Sequence, residues 1–217
     1  MSRKKLIFFD LDGTITDSAP GITKSAAFAL KHFGIEVPDL NAITFFVVPP
    51  LEYTFMTRYG FSEEKAMEAV SYFRQYYREA GWNDCTLFPD TEEALRSLKE
   101  AGYRIALASS KNEPMCKRVL AHFHLDTLFD AVYGAEAEGK RRDKVAVLRY
   151  AMEAESDCLP EEMILVGDTT FDAEGAKAVG IDCLAVSYGF GDVPAMLAEG
   201  ALGPADSMKA VARFFSK

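Results

Sequence analysis

The sequence has few cysteines, and their spacing pairs none of them. Cys85, Cys116, Cys158 and Cys183 lie far apart with no C-x-x-C pair among them. That argues against a zinc site and for free thiols in a reducing compartment. A surplus of positive charge is also missing. Lys and Arg number 24 against 33 Asp and Glu, for a net charge of −9, so a nucleic acid polymer is not an expected partner. No apolar run is long enough to span a bilayer. The opening "MSRKKLIFFD" meets Asp10 before a signal-peptide core can form. Internal repeats and low-complexity segments are absent. These absences predict a cytoplasmic protein without a membrane partner.

What is present suits a globular fold. The chain has 217 residues, 49% apolar and 26% charged, enough for one large domain or for a core with a smaller insert. Short apolar runs recur at "KLIFF" (Lys5–Phe9), "YRIALAS" (Tyr103–Ser109), "EMILVG" (Glu162–Gly167) and "DCLAVS" (Asp182–Ser187). Each reads as a buried parallel strand, apolar on both faces. Helical patterns separate them. One runs from Asp90, an N-cap candidate, to Gly102. Others cover Asp143–Glu155 and Asp172–Gly180. Strands alternating with helices predict an α/β fold with a doubly wound, Rossmann-like parallel sheet. Residues 18–83 break this rhythm with helix-period stretches only, among them "SEEKAMEAVSYFRQYYREAG", which Ser62 opens and Gly81 closes. The expected organisation is a core of residues 1–17 and 84–217 with a small all-helical domain, 18–83, inserted after the first strand. The aromatics of "SYFRQYYREAGW" are expected mainly in that domain's own core.

In doubly wound sheets ligands sit beyond the carboxyl ends of the strands, so chemistry is expected just after each apolar run. In "FFDLDGTITDS", Asp10 and Asp12 close the first run and Gly13 permits a sharp turn. A calcium loop is disfavoured, because position 14 is Thr and no closing glutamate follows. Ser109, followed by Ser110 and Lys111, ends the second run. It is read as a helix start, where a hydroxyl and backbone N–H groups could hold an anion or simply cap the helix. Lys144 precedes the apolar pattern of "KRRDKVAVLRYA" and could reach a phosphate as a point charge. Lys140, Arg141 and Arg142 compete with it. In "ILVGDTTFD", Asp168 and Asp172 offer hard oxygens suited to Mg²⁺, while Asp172 also stands where a helix cap is expected.

Taken in order, these four motifs resemble those of the haloacid dehalogenase superfamily of phosphatases, and the resemblance spans nearly the whole chain. Within it, the chain resembles the phosphoglycolate phosphatase-like and 5′-nucleotidase-like members. The resemblance implies a Mg²⁺-dependent hydrolysis of a small phosphorylated metabolite through an aspartyl phosphate. Asp10 would be the nucleophile and Asp12 the general acid/base. Ser109, Ser110 and Lys144 would hold the phosphoryl group. Asp10, the main-chain carbonyl of Asp12, Asp168 and Asp172 would serve the metal. It also implies that the helical insert is a substrate-selecting cap. "VVPPLEYTF" (Val47–Phe55) resembles a cap segment in which Val48 replaces a usual glycine, and "LFPD" (Leu87–Asp90) has Asp90 where glycine is common. Asp12 speaks against dehalogenation. A sugar phosphomutase would carry a cap histidine soon after "DGT", yet the first histidine is His32. A phosphometabolite-binding regulator that had lost turnover would lack a catalytic residue, and none is missing.

Overall fold

The computed structural model describes residues 4–48, 50–136 and 139–216. Pro49, inside the Val47–Phe55 segment, therefore lies outside the described residues, as do Met1–Arg3 of the opening. The chain divides into two compact units, Met1–Thr16 with Leu87–Lys217, and Asp17–Thr86.

The larger unit is built on a six-stranded parallel sheet. Its strands are β1 (Leu6–Phe9), β4 (Arg104–Asn112), β5 (Ala131–Ala135), β6 (Met163–Gly167), β7 (Asp182–Val186) and β8 (Leu202–Ala205). They lie in the order β5-β4-β1-β6-β7-β8. β1 is central and fully buried, and helices cover the sheet, so its residues read as one unbroken apolar run. The helices are α4 (Thr91–Glu100), α5 (Glu113–His122), α6 (Lys144–Ala154), α7 (Thr170–Val179), α8 (Val193–Ala198) and α9 (Met208–Phe215). Leu6, Phe8, Ala106, Val147, Leu148 and Leu165 lie in one core cluster. The two-residue strands β2 (Thr16–Asp17) and β3 (Thr86–Leu87) pair with each other.

The smaller unit holds α1 (Ala19–His32), a 3₁₀ segment (Leu40–Phe46), α2 (Leu51–Tyr59) and α3 (Glu63–Glu79). The Ser62 side chain accepts the Lys65 N–H and so caps α3. Phe46, Phe55 and Phe73 are buried together with Ala26, Leu30 and Val70. Tyr72 stacks on His32, and Phe73 on Tyr77. No helix among the described residues is long and apolar enough to cross a membrane.

Several local readings are corrected. Ser109 is not at a helix start: β4 continues through it to Asn112, and α5 begins only at Glu113. Gly81 does not itself close α3, which ends at Glu79 with Ala80 as its C-cap, and it opens a short 3₁₀ turn instead. Asp90 occupies the N-cap position of α4 without a capping bond. Its φ of 64° is left-handed, the conformation that favours glycine at this position, and its carboxylate pairs with Lys209 instead. Asp172 is the third residue of α7, not its N-cap. Thr169 is the N-cap residue, and the Asp172 side chain accepts its N–H and its hydroxyl.

Candidate active site

Asp10 follows β1 directly, and its N–H donates to the Val166 carbonyl of β6 at 2.9 Å. Beyond it the chain folds tightly. The Leu11 carbonyl accepts the N–H groups of Thr14, Ile15 and Thr16. Gly13, at φ +84°, makes this turn possible, and a Cβ there would stand 2.1 Å from Asp168 Oδ2. The turn after β1 is thus pressed against the residue after β6.

Asp168 is fully buried and held on both oxygens. Its Oδ1 accepts from the Thr14 hydroxyl at 3.3 Å and its Oδ2 from the Phe190 N–H at 2.8 Å. The segment carrying that N–H follows β7 and comes so close that a Cβ on Gly189 would lie 2.3 Å from the Asp168 Cβ. Tyr188 ties the same segment to the first turn by donating to the Thr14 carbonyl at 3.0 Å. Asp172 is fixed by its helix. Its Oδ2 accepts the Thr169 N–H at 3.0 Å and hydroxyl at 2.8 Å, which leaves Oδ1 turned inward.

Lys144 lies in the first turn of α6, where Asp143 caps the helix by accepting the Ala146 N–H. Its buried ammonium donates to the Ala108 carbonyl of β4 at 2.9 Å. It also sits 3.0 Å from Asp10 Oδ1 and 2.8 Å from Asp172 Oδ1. These two contacts are ion pairs without hydrogen-bond alignment, and both oxygens are buried with no donor of their own. Lys140 and Arg142 are exposed, while Arg141 pairs with Glu113. Ser109 is buried and its hydroxyl favours the ionised form of Asp10, but Ser110 is exposed. Asp12 stands apart from the buried carboxylates and pairs with Lys111 at 2.5 Å.

Asp10, Asp168 and Asp172 form the one group among the described residues whose ligand atoms lie close enough to share a metal, within 4.8 Å of one another. Mg²⁺ takes oxygen ligands and usually keeps several waters, so these three carboxylates would supply part of its shell. Charge supports the fit. Three buried carboxylates face one ammonium, a deficit of two positive charges when all are ionised, which a divalent cation supplies. The donors are all hard oxygens, as Mg²⁺ prefers.

Burial pushes the Asp10 carboxyl above the usual aspartate value of 3.8. Lys144 opposes that rise, and Asp172 adds to it. Asp168 is raised well above the same value by burial first, then by Asp172 and Asp10. Burial alone would lower Lys144, but the two carboxylates more than reverse this and hold it protonated. The cation-free fold therefore favours protonated Asp10 and Asp168. Their contribution to stability is complete below the unfolded aspartate value and is lost as pH rises through the raised folded values. A cation binds the ionised forms, so its stabilising effect grows over the same window. At Mg²⁺ near 100 times Kd, about 2.7 kcal/mol is expected, or roughly 5–10 °C in Tm for a chain of this size. The increase should be larger at pH 8 than at pH 5, read as Tm with Mg²⁺ minus Tm with EDTA. A larger increase at pH 5 would contradict this arrangement.

A shallow depression of about 480 Å³, lined by Leu87, Phe88, Asp90, Thr91, Glu92, Glu93 and Arg96, contains none of these groups. It offers no comparable chemistry.

Two contributions escape a reading of the sequence, and a third does not. The Phe190 N–H is a backbone donor, hinted at only by the glycines of "YGFG". Lys111 meets Asp12 across 99 residues, with no local signal. The pairing of Thr169 with Asp172 was open to detection, since T-x-x-D is a capping-box spacing.

A family model described as haloacid dehalogenase-like hydrolase matches residues 7–186. A curated relative named 5′-nucleotidase, from Pseudomonas aeruginosa, is 39% identical over 185 residues, covering 85% of this chain and 83% of its own. The tyrosine-protein kinase PtkA of Mycobacterium tuberculosis is 42% identical over 187 residues. That match covers 86% of this chain but only 63% of the relative's length. A crystal structure described as a predicted phosphatase from Clostridium acetobutylicum superposes with a TM-score of 0.91 at 37% identity, covering 99% of both chains.

Proposed function

The chain belongs to the haloacid dehalogenase-like hydrolases and acts on phosphoric monoesters, and from that premise we propose that it is a Mg²⁺-dependent phosphatase working through an aspartyl phosphate on Asp10. The observation that carries this reading is the buried group of Asp10, Asp168, Asp172 and Lys144 gathered after β1, after β6, in the first turn of α7 and at the start of α6. Asp10, Asp168 and Asp172 would hold the ion, which when bound offsets the charge of the phosphate and of its attacker.

The remaining steps belong to the chain's own residues. Asp10 forms a bond from carboxylate oxygen to phosphorus while the bond to the leaving oxygen breaks. Attack by one anion on another is opposed by about 4 kcal/mol per pair of unit charges at ~4 Å and an effective dielectric of 20. Lys144 lessens that repulsion, and Ser109 offers the phosphoryl oxygens a hydroxyl. Asp12 gives a proton to the leaving oxygen, then takes one from the water that displaces Asp10 from phosphorus. The 5′-nucleotidase relative supports a nucleoside monophosphate as substrate, and the sequence resemblance also admits phosphoglycolate. Residues 18–83 are read as the selecting cap, with Val48 and Glu52 as its candidate determinants.

The test is hydrolysis across nucleoside monophosphates, sugar phosphates and phosphoglycolate with Mg²⁺, Ca²⁺ or EDTA. Mg²⁺ should be required. Ca²⁺ should inhibit, because its looser, larger shell misplaces Asp10. Equal rates in EDTA and Mg²⁺ would refute the metal's role.

A further inference from the structure

We propose that Lys111 is the positioning residue for Asp12, holding its carboxylate at the carboxyl end of β4 in the place from which it serves both proton transfers; this rests on the phosphatase reading above. The two lysines divide the acids between them. Lys144 is taken by Asp10, Asp172 and the Ala108 carbonyl. Lys111 is taken by Asp12, with Nζ 2.5 Å from Oδ2. Asp12 lies outside the buried carboxylate group, and the Lys111 ammonium fixes its direction.

The pair is not an ordinary surface contact. The Lys111 side chain is 10% exposed and that of Asp12 24%, so solvent and salt screen it less than most ion pairs. The lysine's backbone is pinned as well. Its N–H donates to Ser109 Oγ at 3.3 Å, and its carbonyl accepts from the buried Cys116 thiol. A lysine anchored at its backbone loses less freedom when its ammonium is held. The same anchor, Ser109, is the proposed phosphoryl contact, so the group that grips the phosphate and the group that aims Asp12 share one short segment of β4.

A lysine in this place could instead bind the phosphate directly, and a double-mutant cycle separates the two roles. Phosphoenzyme decay would be timed after a burst with p-nitrophenyl phosphate in wild type, Lys111→Met, Asp12→Asn and the double variant, each checked by thermal melt. If Lys111 acts through Asp12, Lys111→Met should slow decay about tenfold or more in the wild-type background, a part of what acid–base catalysis supplies. In the Asp12→Asn background it should slow decay less than about twofold, and KM should change little. Lys111→Arg, which keeps the charge, should recover part of the loss. An equal slowing in both backgrounds would overturn the proposal in favour of a direct phosphate contact. Wild-type decay in Lys111→Met would overturn it outright. Full turnover by Asp12→Asn would remove the role of Asp12 itself, whereas a slow Asp12→Asn beside a normal Lys111→Met would defeat only the proposal for Lys111.

Discussion

Asp10→Asn is expected to lower turnover by roughly 10⁴-fold or more while leaving the fold intact. The amide cannot attack phosphorus as a carboxylate does, and it is a poorer ligand for a hard cation. The fold should survive because the side chain keeps its size and its neighbours do not depend on its charge. Asp168 is held by Thr14 and Phe190, Asp172 by Thr169, and Lys144 keeps Asp172 and the Ala108 carbonyl. In the absence of metal the substitution also removes one of three crowded carboxylates, so Tm in EDTA should be unchanged or higher. Steady-state hydrolysis beside thermal melts in EDTA decides the matter. Substantial activity in a well-folded variant would remove Asp10 from the nucleophile's role.

Asp12→Asn should separate the two halves of the reaction. The first half needs an acid only when the leaving group is strongly basic. An alkoxide needs that proton, but a nitrophenolate leaves almost unaided. In the proposed mechanism the second half always hydrolyses the same aspartyl phosphate and always needs the base. With p-nitrophenyl phosphate the variant should release a rapid burst of about one equivalent of nitrophenolate and then turn over roughly 10²–10⁴-fold more slowly than wild type. With an alkyl phosphate it should stall before any burst. Rapid-quench kinetics with intact-mass analysis distinguishes these outcomes, and normal steady turnover of both substrates would defeat the assignment of Asp12.

The parts of the fold that could be read in the sequence are those where burial is complete. β1, β4, β6 and β7 are covered on both faces and appear as continuous apolar runs. β5, "AVYGA", and β8, "LGPA", are the two edges of the sheet. An edge strand tolerates glycine and proline, so both look like turns. β2 and β3 are two residues each, too short for any period to show. The extension of β4 past Ser109 was hidden for a related reason: "SSKN" is polar, and polar residues before an acidic helix start look like a cap.

The site divides along similar lines. Asp10, Ser109 and Asp168 could be placed because each stands at the carboxyl end of a recognisable strand, and Lys144 and Asp172 because each opens a recognisable helix. The topology then brings them together. Ser110 could not be separated from Ser109 by sequence, although alternation along β4 turns the one inward and the other to solvent. The hydrogen bonds that orient Asp168 come from a backbone N–H and from a threonine on another loop. Neither has a pattern of its own, and both appear only once the chain is folded.

The central claim is that phosphate passes through a covalent bond to Asp10. The most direct measurement is chemical trapping of the wild-type enzyme with Mg²⁺ and p-nitrophenyl phosphate in steady state. Borohydride reduces an aspartyl phosphate to homoserine, and peptide mapping locates it. Homoserine should appear at position 10, only when substrate and Mg²⁺ are both present, and not in Asp10→Asn. Homoserine at another aspartate, or continued turnover with none formed at position 10, would contradict the account.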